Sequence, residues 1–118
     1  ITADDMVGIL IKARESTELY ALLKDIKMRN AKGNLARSAP TGFRAKTGTL
    51  NFVAGLGGYV TTASGRELAF AIFSADRTRR ALIPVAQRER PKGASSWNRR
   101  AKILQYKMLN RWCHKYRS

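Results

Sequence analysis

Acidic side chains are scarce in this sequence, with 8 Asp and Glu against 23 Lys and Arg, for a net charge of +15. There is one cysteine, Cys113, and one histidine, His114. A single cysteine excludes an internal disulfide framework and a multi-cysteine zinc site, and the adjacent pair cannot form a metal site alone. We therefore expect neither a metal nor a cofactor. No run approaches eighteen apolar residues, so the sequence predicts no membrane-spanning helix.

What is present indicates a globular protein. The chain has 118 residues, of which 44% are hydrophobic and 26% charged. That length suits one small domain, and we treat residues 1–118 as a single segment. The sequence begins at Ile1 rather than at Met, and we expect that something upstream has been removed, with any targeting signal.

The positive charge is concentrated near the C-terminus. Residues 1–76 carry ten basic and seven acidic side chains, whereas residues 77–118 carry thirteen basic side chains and one acidic residue, Glu89. Such a segment attracts polyanions such as nucleic acid, anionic lipid or an acidic cell-wall polymer, in a salt-sensitive manner. The alternative is a solvated basic face on a C-terminal helix. No recognised nucleic-acid-reading motif favours the first interpretation.

Helices are predicted at both ends. Thr2 is a candidate N-cap for a first helix that ends near Ala13, with apolar residues Met6, Val7, Leu10 and Ile11 on one face. A second short helix is expected from about Thr17, with Leu19, Leu22, Leu23 and Ile26 at helical spacing. After a basic excursion over residues 77–94, Ser95 or Ser96 would cap a final helix. Its predicted apolar stripe is Trp97, Ala101, Leu104, Met108 and Trp112.

The middle of the chain has strand character. Residues 28–42 indicate a loop long enough to suggest a function or a partner surface. Residues 43–50, 56–62 and 67–74 are predicted strands, and Thr62-Ala63-Ser64-Gly65 suits a tight hairpin between the last two. The third strand is apolar on both faces, so we expect cover on both sides. Gly55, Gly57 and Gly58 leave room for a close approach by backbone or helix.

The segment with the most chemical information is Ala45-Lys46-Thr47-Gly48-Thr49-Leu50. The tripeptide Lys-Thr-Gly at the start of an antiparallel hairpin is one signature of serine enzymes that react with penicillins, although three residues alone also suit an ordinary turn. Over residues 44–76 the chain resembles the C-terminal part of bacterial D-alanyl-D-alanine carboxypeptidases and endopeptidases, the low-molecular-mass penicillin-binding group. The matching pattern is the Lys-Thr-Gly-Thr-Leu strand, a Leu-x-Gly-Tyr-Val strand, a glycine turn and a Leu-Ala-Phe-Ala-Ile strand.

The resemblance implies roles for four residues of the motif. Lys46 would take part in the hydrogen-bond network beside a reacting serine, and Gly48 would let substrate approach the backbone. The hydroxyls of Thr47 and Thr49 would bind the substrate's terminal carboxylate. The backbone N–H of Thr49 would form half of an oxyanion hole. From the residues alone, a strand edge beside a nucleophile can bind a peptide by strand addition.

The chain departs from the family pattern at the nucleophile. Members acylate a serine in Ser-x-x-Lys and use a second Ser-x-Asn motif, both upstream of Lys-Thr-Gly. No serine here precedes a lysine by three positions, and Ser96-Trp97-Asn98 lies downstream on a predicted helix, where we interpret it as a cap. We therefore expect the C-terminal portion of a larger serine peptidase, inactive by itself and completed by a missing N-terminal part of the same protein.

The resemblance sets the remaining expectations. The fold would be α+β, an antiparallel three-stranded segment flanked by helices, within the β-lactamase and transpeptidase-like fold. Partners would be peptidoglycan peptides and β-lactams, and the location the periplasm or cell envelope. An exposed sheet edge suggests a homodimer. Two alternatives remain: a basic module that binds nucleic acid or an anionic surface, and a penicillin-binding relative without catalysis.

Overall fold

A four-stranded antiparallel sheet organises the chain, in a computed structural model that describes residues 2–30, 32–37, 40–81 and 93–116. Within these ranges the strands lie in the order β1-β2-β3-β4. The α+β class is confirmed, whereas the prediction of three strands is wrong by one. The elements are α1 (Ala3–Ala13), α2 (Thr17–Leu22), β1 (Lys24–Lys27), β2 (Gly42–Leu50), β3 (Val53–Thr61), β4 (Glu67–Ala75), α3 (Arg77–Ala81) and α4 (Ala94–Lys115).

Helix α1 begins as its sequence predicts. The Thr2 hydroxyl accepts a hydrogen bond from the backbone N–H of Asp5 (3.1 Å), and the Thr2 N–H donates to the Asp5 carboxylate (3.0 Å), which forms a capping box. These two bonds, the backbone one above all, lower the pKa of Asp5. Ile11 is 62% exposed, so its assignment to the apolar face is wrong. It lies about 100° around the helix from Leu10, the buried residue that faces the sheet.

Strand β1 is the element that periodicity missed. The predicted second helix ends at Leu22, and Leu23 already has the extended ψ of 144°. Ile26 is therefore not helical and pairs with Phe43 of β2. Leu19 and Ile26 are seven residues apart, so a six-residue helix cannot contain both. Pairing with β2 satisfies the backbone hydrogen-bonding groups of residues 24–27 instead. Leu22 is 80% exposed, so the apolar face predicted for α2 is not a buried one.

The sheet is covered on both faces, as expected from β4. Helix α1 lies on one face, where a Cβ on Gly57 would stand 3.6 Å from Met6 and 3.8 Å from Leu10. Helix α4 lies on the other face, where Leu109 and Cys113 join the main core cluster. The turn after β3 also follows its prediction: Thr62 N–H donates to Arg66 O (2.8 Å), and Gly65 has a φ of +88°.

Helix α4 is rotated relative to its predicted stripe. The predicted Leu104 is 49% exposed, whereas Leu109 is fully buried. Small and medium-sized residues form the line closest to the sheet, and the larger Trp97, Met108 and Trp112 pack partly buried at its flanks. The predicted serine cap is also wrong, because the helix begins after Gly93 with φ +83° and no side-chain cap. The buried residues of α4 are Ala94, Ala101, Gln105, Leu109 and Cys113.

The basic C-terminal region is described only in part. The predicted excursion over 77–94 contains the short helix α3, and residues 82–92, with Glu89, lie outside the described residues.

Among the helices of the described ranges, none combines the length and apolar character needed to cross a membrane.

Cys113 should be a poorly reactive thiol in the folded chain. Its side chain is 4% exposed, and burial raises the pKa of the thiol. Because the thiolate is the reactive form, we expect slow labelling by a disulfide reagent at neutral pH and faster labelling as the pH rises. In denaturant the rate should reach that of a free cysteine. Equal rates at neutral pH with and without denaturant would contradict the burial of this residue.

Candidate active-site edge

The motif strand β2 has a free edge that begins at Lys46. Strand β1 pairs with β2 only from Lys24 opposite Ala45 to Lys27 opposite Gly42. Leu23 is the single residue between α2 and β1, and it pairs with no residue of β2. Among the described residues, nothing pairs with residues 46–50 on this side, while β3 pairs with them on the other. An unpaired strand edge of this kind can accept an additional strand.

The backbone of Thr47 and Thr49 faces this open edge. In an antiparallel ladder, alternate residues direct both backbone groups to the same neighbouring strand. Met28 N–H donates to Thr41 O (2.8 Å), so Thr41 and every second residue after it face the β1 side. The bond from Thr62 N–H to Arg66 O means that the even-numbered residues of β3 face β4 and its odd-numbered residues face β2. The pairing of β2 with β3 then directs the odd-numbered residues of β2, which include Thr47 and Thr49, to the β1 side. The N–H groups of Thr47 and Thr49 and the C=O group of Thr49 are thus available to a ligand strand, while the C=O group of Thr47 accepts a hydrogen bond from Lys46 Nζ.

Lys46 and the two threonines lie on opposite faces of the sheet. Lys46 is opposite Gly57, whose α1-facing side meets Met6 and Leu10, so the lysine belongs to the α1 face. Its side chain is exposed, and Nζ donates to the backbone oxygen of Thr47 at 3.0 Å. Thr47 is opposite Leu56, which belongs to the core beneath α4. A peptide at the edge would therefore have the ammonium group on one side and hydroxyl groups on the other.

Thr47 and Thr49 line a groove between the sheet edge and α4. Its α4 wall includes Asn98, Lys102 and Gln105. These neighbours were not predicted as site residues, although residues four positions apart share a helix face and the pattern could have suggested it. The Ser-x-Asn sequence is split by the structure: Asn98 lines the groove, whereas the Ser96 hydroxyl bonds to the Arg100 guanidinium at 2.7 Å. We retain the interpretation that this match is a coincidence, although the serine is not a cap.

Gly48 has open space where a side chain would be. A Cβ built at Gly48 meets nothing within 4 Å, and the residue is opposite Gly55 on the α1 face. Neither packing nor backbone conformation within the described chain requires glycine here. The smooth surface beside Lys46 is therefore free for another group to approach closely.

A tyrosine and arginine cluster fixes the strand that leads into the motif. Tyr59, opposite Arg44, is buried and donates a hydrogen bond to the carbonyl of Leu10; its burial raises the pKa of the phenol. The guanidinium carbons of Arg14 and Arg44 lie 3.9 and 5.0 Å from the centroid of the Tyr20 ring. These contacts connect α1 and α2 to β2 two residues before Lys46.

Comparison with known proteins identifies the relationship. The model of the D-Ala-D-Ala carboxypeptidase 3 (S13) family matches residues 1–98. The chain belongs to this family. The S13 match includes the motif strand, the two strands that follow it and the start of α4. It supports a carboxypeptidase-type hydrolase, in agreement with the resemblance of residues 44–76. Searches of curated proteins and of solved structures gave no match to this S13 chain.

The described part of this S13 chain has no group of three His, Cys, Asp or Glu side chains placed to hold a metal ion. Tyr59 and Cys113 are in the core, and His114 is exposed at the end of α4. The residues that can contact a ligand at the edge are therefore those of the motif and of its groove.

Proposed function

We propose that this chain supplies the Lys-Thr-Gly strand of a serine-type D-alanyl-D-alanine peptidase that acts on peptidoglycan peptides in the cell envelope. The supporting observation is the unpaired edge of β2, which presents the backbone of Thr47 and Thr49 beside the Lys46 side chain. In this proposal the sheet is part of a β-lactamase and transpeptidase-like fold, and the nucleophilic serine lies outside these 118 residues.

The proposed reaction is acyl transfer. The serine Oγ attacks the carbonyl carbon between the two D-alanines and passes its proton to a neighbouring base. The carbonyl oxygen becomes an oxyanion, which the backbone N–H of Thr49 stabilises from the open edge. Collapse of this intermediate breaks the C–N bond, and the D-alanine amine leaves with a proton. Water then hydrolyses the acyl ester, whereas a β-lactam leaves a stable acyl-enzyme.

The motif residues have separate tasks in this scheme. Lys46 supplies positive charge on the α1 face, where the serine and its base would approach over Gly48. The hydroxyls of Thr47 and Thr49 donate hydrogen bonds to the terminal carboxylate from the α4 face. Strand addition along residues 47–49 fixes the scissile bond between these two groups.

Labelling with a fluorescent penicillin tests the proposal. Envelope fractions of the source cell are treated with the reagent, and an antibody raised against this chain recovers the polypeptide that contains it. We expect a labelled band heavier than 13.2 kDa, and its labelling should disappear after preincubation with unlabelled penicillin. An unlabelled band of any size would contradict the peptidase proposal, and one near 13.2 kDa in the soluble fraction would favour a binding module.

A further inference from the structure

Six basic side chains line a groove that extends from the motif strand across one face of the molecule. The part beside Thr47 and Thr49 has a cavity volume of about 590 Å³ and adjoins a second depression of about 870 Å³. The two share Arg29 and Tyr106 in their linings. We call the whole depression the basic groove. Its cations are Lys24, Arg29, Arg37, Arg99, Lys102 and Lys107.

The charge of the basic groove is almost uncompensated. Among the described residues, Asp25 is the acidic residue in its lining, and it is opposite Arg44 on the α1 face. Within the described residues the ion pairs are Arg14–Glu67 and Arg79–Asp76, so none of the six cations is in one. Arg29 donates one hydrogen bond to Gly33 O (2.8 Å). Like charges held close together in a concave site concentrate the local potential and favour an anionic ligand.

The spacing of the cations suits an extended anion rather than a single carboxylate. On α4, Arg99 and Lys107 are separated by about 12 Å at the helical rise per residue. On the opposite wall the cations are Lys24 of β1 and Arg29, two residues after that strand. Cations distributed along both walls match a chain with repeated charges.

The composition of the groove disfavours nucleic acid as that chain. Single-stranded nucleic acids bind through aromatic side chains that stack on successive bases. Among the described residues, the aromatic residues of the lining are Phe43 and Tyr106. The Tyr106 ring on α4 packs edge-on against Phe43 at 5.7 Å and lies 5.8 Å from the Lys102 ammonium, and Phe43 itself is in the core. The described part of the groove therefore offers cations and amides but no series of stacking platforms.

We propose that the basic groove binds an anionic cell-wall polymer whose charges are phosphodiesters between polyol or sugar units. The choice of a wall polymer rests on the proposed function, whereas the choice of an extended anion without bases rests on the groove itself. Bound there, the polymer would hold the envelope substrate beside residues 47–49. The segment 28–42, predicted from its length as a partner surface, supplies Arg29 and Arg37 to this site.

Binding to a synthetic poly(glycerol phosphate) tests the inference. The chain is titrated with an oligomer of about twelve phosphates, and with an oligothymidylate of equal charge, between about 50 and about 200 mM salt. We compare K24Q/K102Q, which removes one cation from each wall, with K12Q/R77Q, which removes two exposed cations outside the groove lining. Circular dichroism checks that both variants remain folded.

We expect K24Q/K102Q to weaken polymer binding by about tenfold and to reduce the slope against salt by about two, because each phosphate contact releases counterions. K12Q/R77Q should bind within about twofold of the original chain, and oligothymidylate should bind more weakly than the polymer. Equal losses in the two variants, or no binding at low salt, would overturn the groove assignment. Equal or tighter binding of oligothymidylate would overturn the choice of polymer. Penicillin labelling is scored separately, so failure here does not depend on failure of the peptidase proposal.

Discussion

Replacement of Lys46 by alanine in the polypeptide that carries the nucleophilic serine should reduce penicillin acylation by at least about a thousandfold. The ammonium group lies at the open edge of β2, and its partner within the chain is the backbone oxygen of Thr47 at 3.0 Å. Removing a group that stabilises charge at the reacting centre typically costs a factor of about a hundred to a thousand, and loss of proton-transfer capacity adds to it. The measurement is the second-order rate of acylation by a fluorescent penicillin.

The matched control for K46A is Lys12→Ala, which removes an exposed lysine of α1 that is neither in the motif nor in the groove lining. It should leave the acylation rate unchanged, and both variants should melt within a few degrees of the original protein because neither lysine is buried. A Lys46→Ala protein that is acylated at the original rate would remove this residue from the catalytic site. A conservative Lys46→Arg protein keeps the charge without the same proton chemistry, so an intermediate rate would separate the two contributions.

Gly58→Ala should abolish stable folding, whereas Gly48→Ala should leave stability almost unchanged. A Cβ on Gly58 would stand 2.6 Å from the Cα of Ala45 and closer still to the carbonyl oxygen of Arg44, which are backbone atoms that cannot move without separating β2 from β3. We expect a loss of at least about 3 kcal/mol in the free energy of unfolding, at the upper end for overpacking. Thermal and denaturant melts of the two variants measure the difference.

The same pair of variants separates folding from function at the edge. Because nothing lies within 4 Å of a Cβ on Gly48, the G48A chain should melt normally. In the serine-containing polypeptide it should still lose penicillin acylation, because the added methyl group occupies the surface proposed for substrate approach. Normal acylation of G48A would contradict that proposal. A melting curve for G58A that matches the original chain would contradict the close contact between β2 and β3.

The sequence predicted those elements in which local pattern and tertiary packing agree. Strands β2, β3 and β4 were found because apolar residues and a glycine turn mark them, and α1 because Thr2 and Asp5 form a cap. Strand β1 was missed since Lys24–Lys27 contains one apolar residue, Ile26, and its structure depends on pairing with β2. The stripe on α4 was placed on its largest side chains, but smaller ones allow the closest approach to the sheet.

The candidate site was predictable in identity but not in arrangement. The motif points to Lys46, Thr47, Gly48 and Thr49 through its resemblance to a family, and their proposed roles stay predictions. That the lysine and the threonines lie on different faces depends on the register of β2 with β3, which a single sequence does not contain. The basic groove was equally hidden, because its walls come from β1, the segment after it and α4, which are distant in the chain.

The division of β2 into two faces affects how such an enzyme can change during evolution. In the proposed peptidase, substitutions on α4 at Asn98 or Gln105 would alter the surroundings of the threonines and thus how strongly a peptide is held. They would leave the surface around Lys46, where bonds would be broken, untouched. In such an enzyme, affinity for a new peptide or resistance to a drug would be selected on one side of a single strand while the other side is conserved.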